Sequence, residues 1–290
     1  MKRRPASGLV LLALMGLVFV PSLRAGFPRP QPPLPQRVAL ADCVVVGKVT
    51  KVVPHPVHAL ALPKISGAPR VRYQLAVLRV ETTLVGARDL REMRVGFVPP
   101  RSSRRPADFQ WTVGQEGCFF LRSHPDESFL VVQDSGDVVD RARTKEFDRD
   151  LALVKRCAKL LSDPAAGLRA KDAEDRLLTA AMLIFRYRTA RYVYRGTPKT
   201  EPIDAEENRL ILSILAEAPW TEADLRAPTG RLRLFLRMGL TDKDGWKSPN
   251  STKEAAAAAR EWLASNAKEY RIRRYVPEKS DEDKGTPLSR

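Results

Sequence analysis

Val71–Val80 reads Val-Arg-Tyr-Gln-Leu-Ala-Val-Leu-Arg-Val, and this stretch decides the fold. Val71, Tyr73, Leu75 and Val77 alternate with Arg72, Gln74 and Ala76. A period of two sends the two sets to opposite faces of an extended strand. Upstream, Asp42–Val53 (DCVVVGKVTKVV) is β-branched almost throughout, with Gly47 marking a bulge or a close approach of backbone. Downstream, Met93, Val95 and Phe97 alternate with Arg94 and Gly96 within Glu92–Val98. Gly117–Arg122 and Ser128–Gln133 are short apolar strands separated by the turn-forming run His124-Pro125-Asp126-Glu127. Five strands with loops between them, from residue 39 to residue 143, predict a small antiparallel barrel or sandwich.

Past Arg143 the period becomes helical. Phe147, Leu151, Val154, Ala158 and Leu161 follow four- and three-residue steps, with Thr144 as the expected N-cap and Asp163-Pro164 as the stop. Ala173–Tyr194 reads as a longer helix with Leu178, Met182 and Phe185 on its apolar face. Asp204 with Glu207, and Thr221 with Asp224, resemble capping boxes ahead of further apolar runs. Glu254–Tyr270 is Ala-rich and carries Trp262 and Leu263. Residues 144–275 are therefore expected to form an all-helical domain of about five helices, and residues 276–290 a polar disordered tail. The fold class expected is α+β, strands first and helices after.

The chain opens with Lys2, Arg3 and Arg4, an uncharged apolar run from Gly8 to Val20, then Pro21 and the small residue Ala25. That order is the grammar of a secretory signal over residues 1–25, cut near Ala25–Gly26. The apolar run is well short of the roughly 20 residues that span a bilayer, so a cleaved leader is the better reading than an anchor. Residues 26–38 follow as a Pro-rich linker. A secreted, periplasmic or cell-envelope location is expected, with no membrane span after cleavage. Removing Lys2, Arg3, Arg4 and Arg24 takes the formal charge from +16 to +12. The remainder still favours anionic partners, although it also serves solubility. Aromatic residues at 7% suggest aliphatic cores.

The segment Ala41-Asp42-Cys43-Val44-Val45-Val46-Gly47-Lys48-Val49 resembles the entry strand of netrin-like and TIMP-like modules. So does the order that follows it: YQLAVLRVETTLVGA with its Gly-bearing turn at Leu84-Val85-Gly86, a short strand, then FQWTVGQEGCFFLR. The resemblance covers residues 39–161 and implies a five-stranded OB-like barrel closed off by a helix, which Glu146–Leu161 would supply. The whole chain also resembles secreted, uncharacterised proteins of planctomycete-type bacteria through VGKVTKV, VGFVPP and VGQEGCFFL, a likeness that carries no activity. TIMP-type inhibition needs a Cys at the mature N-terminus. Here the first Cys is Cys43, so that activity does not transfer.

Chemistry-bearing residues are sparse. His55 and His58 stand three apart in a Pro-rich loop with no third ligand nearby, and His124 sits in a turn. No CxxC, GxSxG, HExxH, phosphate-binding Walker loop or GxGxxG is present. No metal, cofactor or catalytic residue is expected, although a site assembled from distant residues stays open. Export favours one disulfide, and Cys43 with Cys118 is the expected pair because both lie in strand-like segments. Cys157 is expected to be a small buried side chain. The one unusual cluster is Phe185–Arg195 (FRYRTARYVYR). On a helix it would align Arg188, Arg191 and Arg195 beside Tyr192, and Arg271, Arg273 and Arg274 repeat the mix near the C-terminus. Arginine beside aromatic rings suits an anion-binding surface, but it also suits long stems packing along a core edge. The functional expectation is a non-catalytic interaction module, its partner an envelope protein or an anionic polysaccharide rather than nucleic acid. An electrostatic binder of anionic polymer is the alternative.

Overall fold

A computed structural model describes residues 31–61, 69–86, 90–99, 111–125, 127–133, 135–190, 198–217, 220–249 and 251–276. The expected leader, and the expected tail beyond Val276, lie outside the described residues. The architecture is mixed α+β, with one large sheet and a layer of helices.

The first element is a helix, α1 (Leu34–Leu40), inside the segment read as a linker. Pro35 falls in the first turn, where a missing N–H costs nothing, and Val38 and Ala39 are fully buried. The strands follow as β1 (Cys43–Val52), β2 (Val57–Leu60), β3 (Arg70–Val85), β4 (Glu92–Phe97), β5 (Glu116–Ser123), β6 (Leu130–Val131) and β7 (Val138–Asp140). β1 pairs with β3, β3 with β4, and β5 with β1, all antiparallel. β6 joins β4 in parallel and β5 antiparallel, so the pairings run from β1 through β3, β4, β6 and β5 back to β1. β2 extends β3 at its N-terminal end, and β7 flanks β5.

Three register shifts along the β1–β3 pair bend β1, one of them at Val46/Gly47 as the sequence predicts. A Cβ on Gly47 would collide with the Arg79 carbonyl oxygen, which gives the close approach its reason. At the far end of β3, Gly86 turns the chain with φ +79, a conformation that favours glycine.

The strands separate three packed sets of side chains. Val45, Val49, Ala76, Leu78, Met93, Val95, Phe97, Phe119 and Leu121 pack together on the inner face. Trp111 joins them, stacked on Phe97 with centroids 5.5 Å apart and tilted against Phe119 at 5.1 Å. Ala76 was expected on the polar face of β3 but is fully buried, because this strand has a covered surface on both sides. Tyr73 and Leu75, pointing the other way, pack with Ala59, Phe129 and Val131 beneath β2. The cores are also less aliphatic than composition implies, since the few aromatic rings are concentrated inside them.

The outer faces of β1, β5 and β7, through Val44, Cys118, Phe120 and Val139, join the helical core. That core is built by α1, α2 (Phe147–Ser162), α3 (Pro164–Leu168), α4 (Ala173–Arg188), α5 (Ala205–Ala216), α6 (Glu222–Arg226), α7 (Arg231–Arg237) and α8 (Thr252–Asn266). From Pro32 onward, strands and helices form one compact unit. The predicted stripe on α2 is real: Phe147, Val154 and Ala158 are buried, and Leu151 and Leu161 pack against the same core. Thr144 does not cap α2. The Asp140 carboxylate accepts from the Ala142 and Arg143 amides at 2.8 and 3.2 Å, and this turn delays the helix to Phe147. Thr221 and Asp224 form the expected reciprocal capping box, whereas Asp204 alone caps α5 by accepting from the Glu206 and Glu207 amides.

Two short strands, β8 (Thr200–Pro202) and β9 (Arg273–Tyr275), pair within the helical part and were not legible as strands. Among the described residues seven helices stand between 144 and 275, where the pattern predicts about five.

Candidate functional site

The arginine–tyrosine cluster expected to bind anions is only partly within view: Arg191, Tyr192 and Arg195 lie outside the described residues. The helix that was to align them with Arg188 ends at Arg188, and Thr189 is already extended (φ −114, ψ 116). The β-branched Thr189 has weak helix propensity, and the helix expected to run to Tyr194 stops at Arg188.

The described members of the cluster are occupied within the fold. Arg188 donates from Nη1 to the Arg273 carbonyl at 2.9 Å and from Nε to the Arg237 carbonyl at 3.4 Å, and its guanidinium lies 4.9 Å from the Tyr275 ring centroid. It thereby ties the end of α4 to α7 and β9. Arg273 donates to the hydroxyl and carbonyl oxygens of Thr200 at 2.9 and 2.7 Å, and Arg274 donates to Glu201 at 2.7 Å, across the β8–β9 pair. Arg271 is exposed. Between Arg271 and Arg273, Ile272 is fully buried, and its N–H donates to Asn208 Oδ1 at 2.8 Å. Among the described members, Arg188 and Arg273 organise backbone and Arg274 holds a carboxylate.

The expected Cys43–Cys118 disulfide is also corrected: no disulfide joins them, and Cys43, Cys118 and Cys157 are all buried. β1 and β5 are neighbours, but Cys43 pairs with Leu121 and Cys118 with Val46, three register steps apart. An odd offset sends the two thiols to opposite faces, Cys43 to the inner set and Cys118 to the helical core. Burial pushes the Cys118 and Cys157 thiols up to about 12, so neither is a ready nucleophile.

His124 is not in a merely local turn. It is 5% exposed, with Nε2 3.0 Å from the Leu60 carbonyl, edge-on to Tyr73 at 5.8 Å and beside Phe129. Tyr73 Oη donates to the same carbonyl at 3.2 Å. Together they pin the end of β2. His55 and His58 are exposed. Among the described residues no three of His, Cys, Asp and Glu gather in a metal-binding arrangement.

What sequence reading passed over lies at the head of β3. A cleft of about 600 Å³, open to solvent, is lined by Pro54, Pro56, Arg70, Val71, Arg72, Gln74, Val98 and Pro99. Arg70, Arg72 and Gln74 are alternate residues of one strand and share a face. Further along β3 the same face, at Ala76 and Leu78, turns into the inner core, so the cleft sits where that core opens. Arg70 and Arg72 are exposed and make no hydrogen bond or ion pair among the described residues. Among the described residues, no acidic residue and no aromatic ring lines the cleft. Beside it, β2 pairs with this end of β3, and His58 stands opposite Arg72 in the pairing. The signal in the sequence was the pair Arg70-x-Arg72, which reads as an ordinary polar strand face until the fold shows what surrounds it.

A second hollow, of about 380 Å³ at the start of α2, mixes Arg141, Lys145 and Arg149 with Glu146 and Asp148. Arg149 pairs with Glu146, and the Arg141 guanidinium sits 4.7 Å over the Phe147 ring. This hollow carries no uncompensated charge pattern. Compared with known proteins, the chain matches no family model, and no curated protein is significantly similar to it.

Proposed function

We propose that the chain is a non-catalytic binding module that acts outside the cytoplasm and holds an anionic partner in the cleft at the head of β3. One observation carries the reading: Arg70 and Arg72 face an open cleft with no acidic residue in its lining and no partner of their own among the described residues. An unpaired guanidinium pair beside apolar surface is an electrostatic invitation to carboxylate, sulfate or phosphate groups, which it can grip through forked donors.

The scaffold fits an OB-type barrel of the netrin-like kind. In support, the strand pairings among the described residues return to β1, with a parallel contact between β4 and β6. The leader-like residues 1–25 support export. Free thiols do not weigh against it, because burial keeps Cys118 and Cys157 protonated and shielded from oxidation.

Salt-gradient elution from a sulfated-polysaccharide column tests the reading. Arg70→Ala/Arg72→Ala should elute at clearly lower salt than the parent chain. Arg273→Ala/Arg274→Ala removes the same net charge and should elute close to the parent. Equal shifts for the two double variants would show that bulk charge, not the cleft, governs retention, and the reading would fail.

A further inference from the structure

Resting on the binding reading above, we infer that the cleft's occupant is an extended acidic segment of a partner polypeptide, with carboxylates at every second residue. The argument begins with spacing. Arg70 and Arg72 are two residues apart on β3, so they project from the same face roughly 6–7 Å apart along the strand. Alternate side chains of an extended peptide repeat at that same pitch, because it is the same backbone geometry. An Asp or Glu at alternate positions therefore meets each arginine in turn without distortion, and each meeting can be a bidentate charge-assisted pair.

The lining points the same way. Stacking on aromatic side chains supplies much of the hold on single-stranded nucleic acid. Among the described residues, the rings of this region, Tyr73, Phe97, Trp111 and Phe129, are all buried and none lines the cleft. Among the described residues, sugar rings would find no aromatic face there either. Pro54, Pro56, Val71, Val98 and Pro99 instead offer aliphatic surface to the apolar side chains of a peptide. Val98 is 44% exposed, one of the few large apolar residues left uncovered. Gln74 continues the arginine face and can both donate to and accept from a peptide backbone.

Titration calorimetry on the full chain, with four probes of matched charge, tests the inference. The probes are a synthetic peptide alternating Asp and Thr, its isomer with Asp-Asp-Thr-Thr blocks, a polyuronate oligosaccharide and oligo-dT. In the block isomer neighbouring carboxylates point to opposite faces, so only one arginine is satisfied at a time. The alternating peptide should bind on the order of tenfold more tightly than the block isomer, and Arg70→Ala/Arg72→Ala should abolish that difference. Equal binding of the two peptides, or tighter Arg70/Arg72-dependent binding of polyuronate or oligo-dT, overturns the inference and leaves the anion-binding reading standing. If no probe binds in a way that depends on Arg70 and Arg72, the reading fails together with the inference.

Discussion

Two groups of arginines sit in this molecule, and they do opposite things. Arg188, Arg273 and Arg274 lie among tyrosines in a conspicuous stretch of sequence, and each is tied to a carbonyl, a hydroxyl or a carboxylate of the chain itself. Arg70 and Arg72 stand in an unremarkable strand and face solvent at the mouth of a cleft. Clustering along the chain is therefore a poor guide to which cations are available. What decides is whether the fold supplies acceptors of its own nearby, and that is a property of tertiary placement.

Substitutions sharpen the contrast. The largest loss of stability is expected in the helical part at Arg231, whose Nη1 donates to Asp224 Oδ1 at 2.7 Å, with both side chains mostly buried. Arg231→Ala would leave the Asp224 carboxylate buried without its cation, at about 3–5 kcal/mol, read from the denaturant midpoint at unchanged slope. The pair also fixes a sign for acid. Burial alone would raise Asp224, but the Thr221 amide, the Arg231 guanidinium and the Thr221 hydroxyl outweigh it and hold the carboxyl below its ordinary range. A carboxyl depressed in the folded state stabilises above its unfolded pKa of about 3.9 and loses that contribution as pH falls through the folded value. Arg231→Ala should therefore show a smaller drop in stability on acidification than the parent chain.

A middle-sized effect is expected at Arg188. Removing its guanidinium strips donors from the Arg237 and Arg273 carbonyls and leaves the Tyr275 face bare, costing about 1–3 kcal/mol by thermal or chemical melting. Anion retention should barely change. At the small end, Arg70→Ala and Arg72→Ala should each alter stability by less than about 0.5 kcal/mol, because neither side chain holds any described part of the fold. A large destabilisation there would erase the distinction between the two groups.

The strands were legible because a half-buried strand prints its two faces on the sequence: Met93 and Val95, buried, against the exposed Glu92 and Arg94 required no knowledge of neighbours. The α2 stripe was legible for the same reason at a helical period. What the sequence hid depends on partners far along the chain. β8 and β9 are three residues each and exist only through pairing across some seventy positions, Glu201 with Arg274 among them. Helix α1 was masked by the prolines before and within it, and its stability comes from burying Val38 and Ala39 against the helical core. The cysteine pairing failed on parity: both residues are on adjacent strands, but only the register reveals that an odd offset sends them apart. Arg70 and Arg72 were visible as residues. Their availability became apparent only once the prolines and valines of two other segments were placed beside them.

Amide hydrogen exchange of the full chain, with and without the alternating acidic peptide, is the most direct measurement of which arginine group receives a partner. Added peptide should slow exchange in residues 57–60, 70–74 and at Val98, and leave residues 199–202 and 273–276 unchanged. Protection confined to the second set would contradict the account, placing the binding surface on the arginines that the fold itself holds.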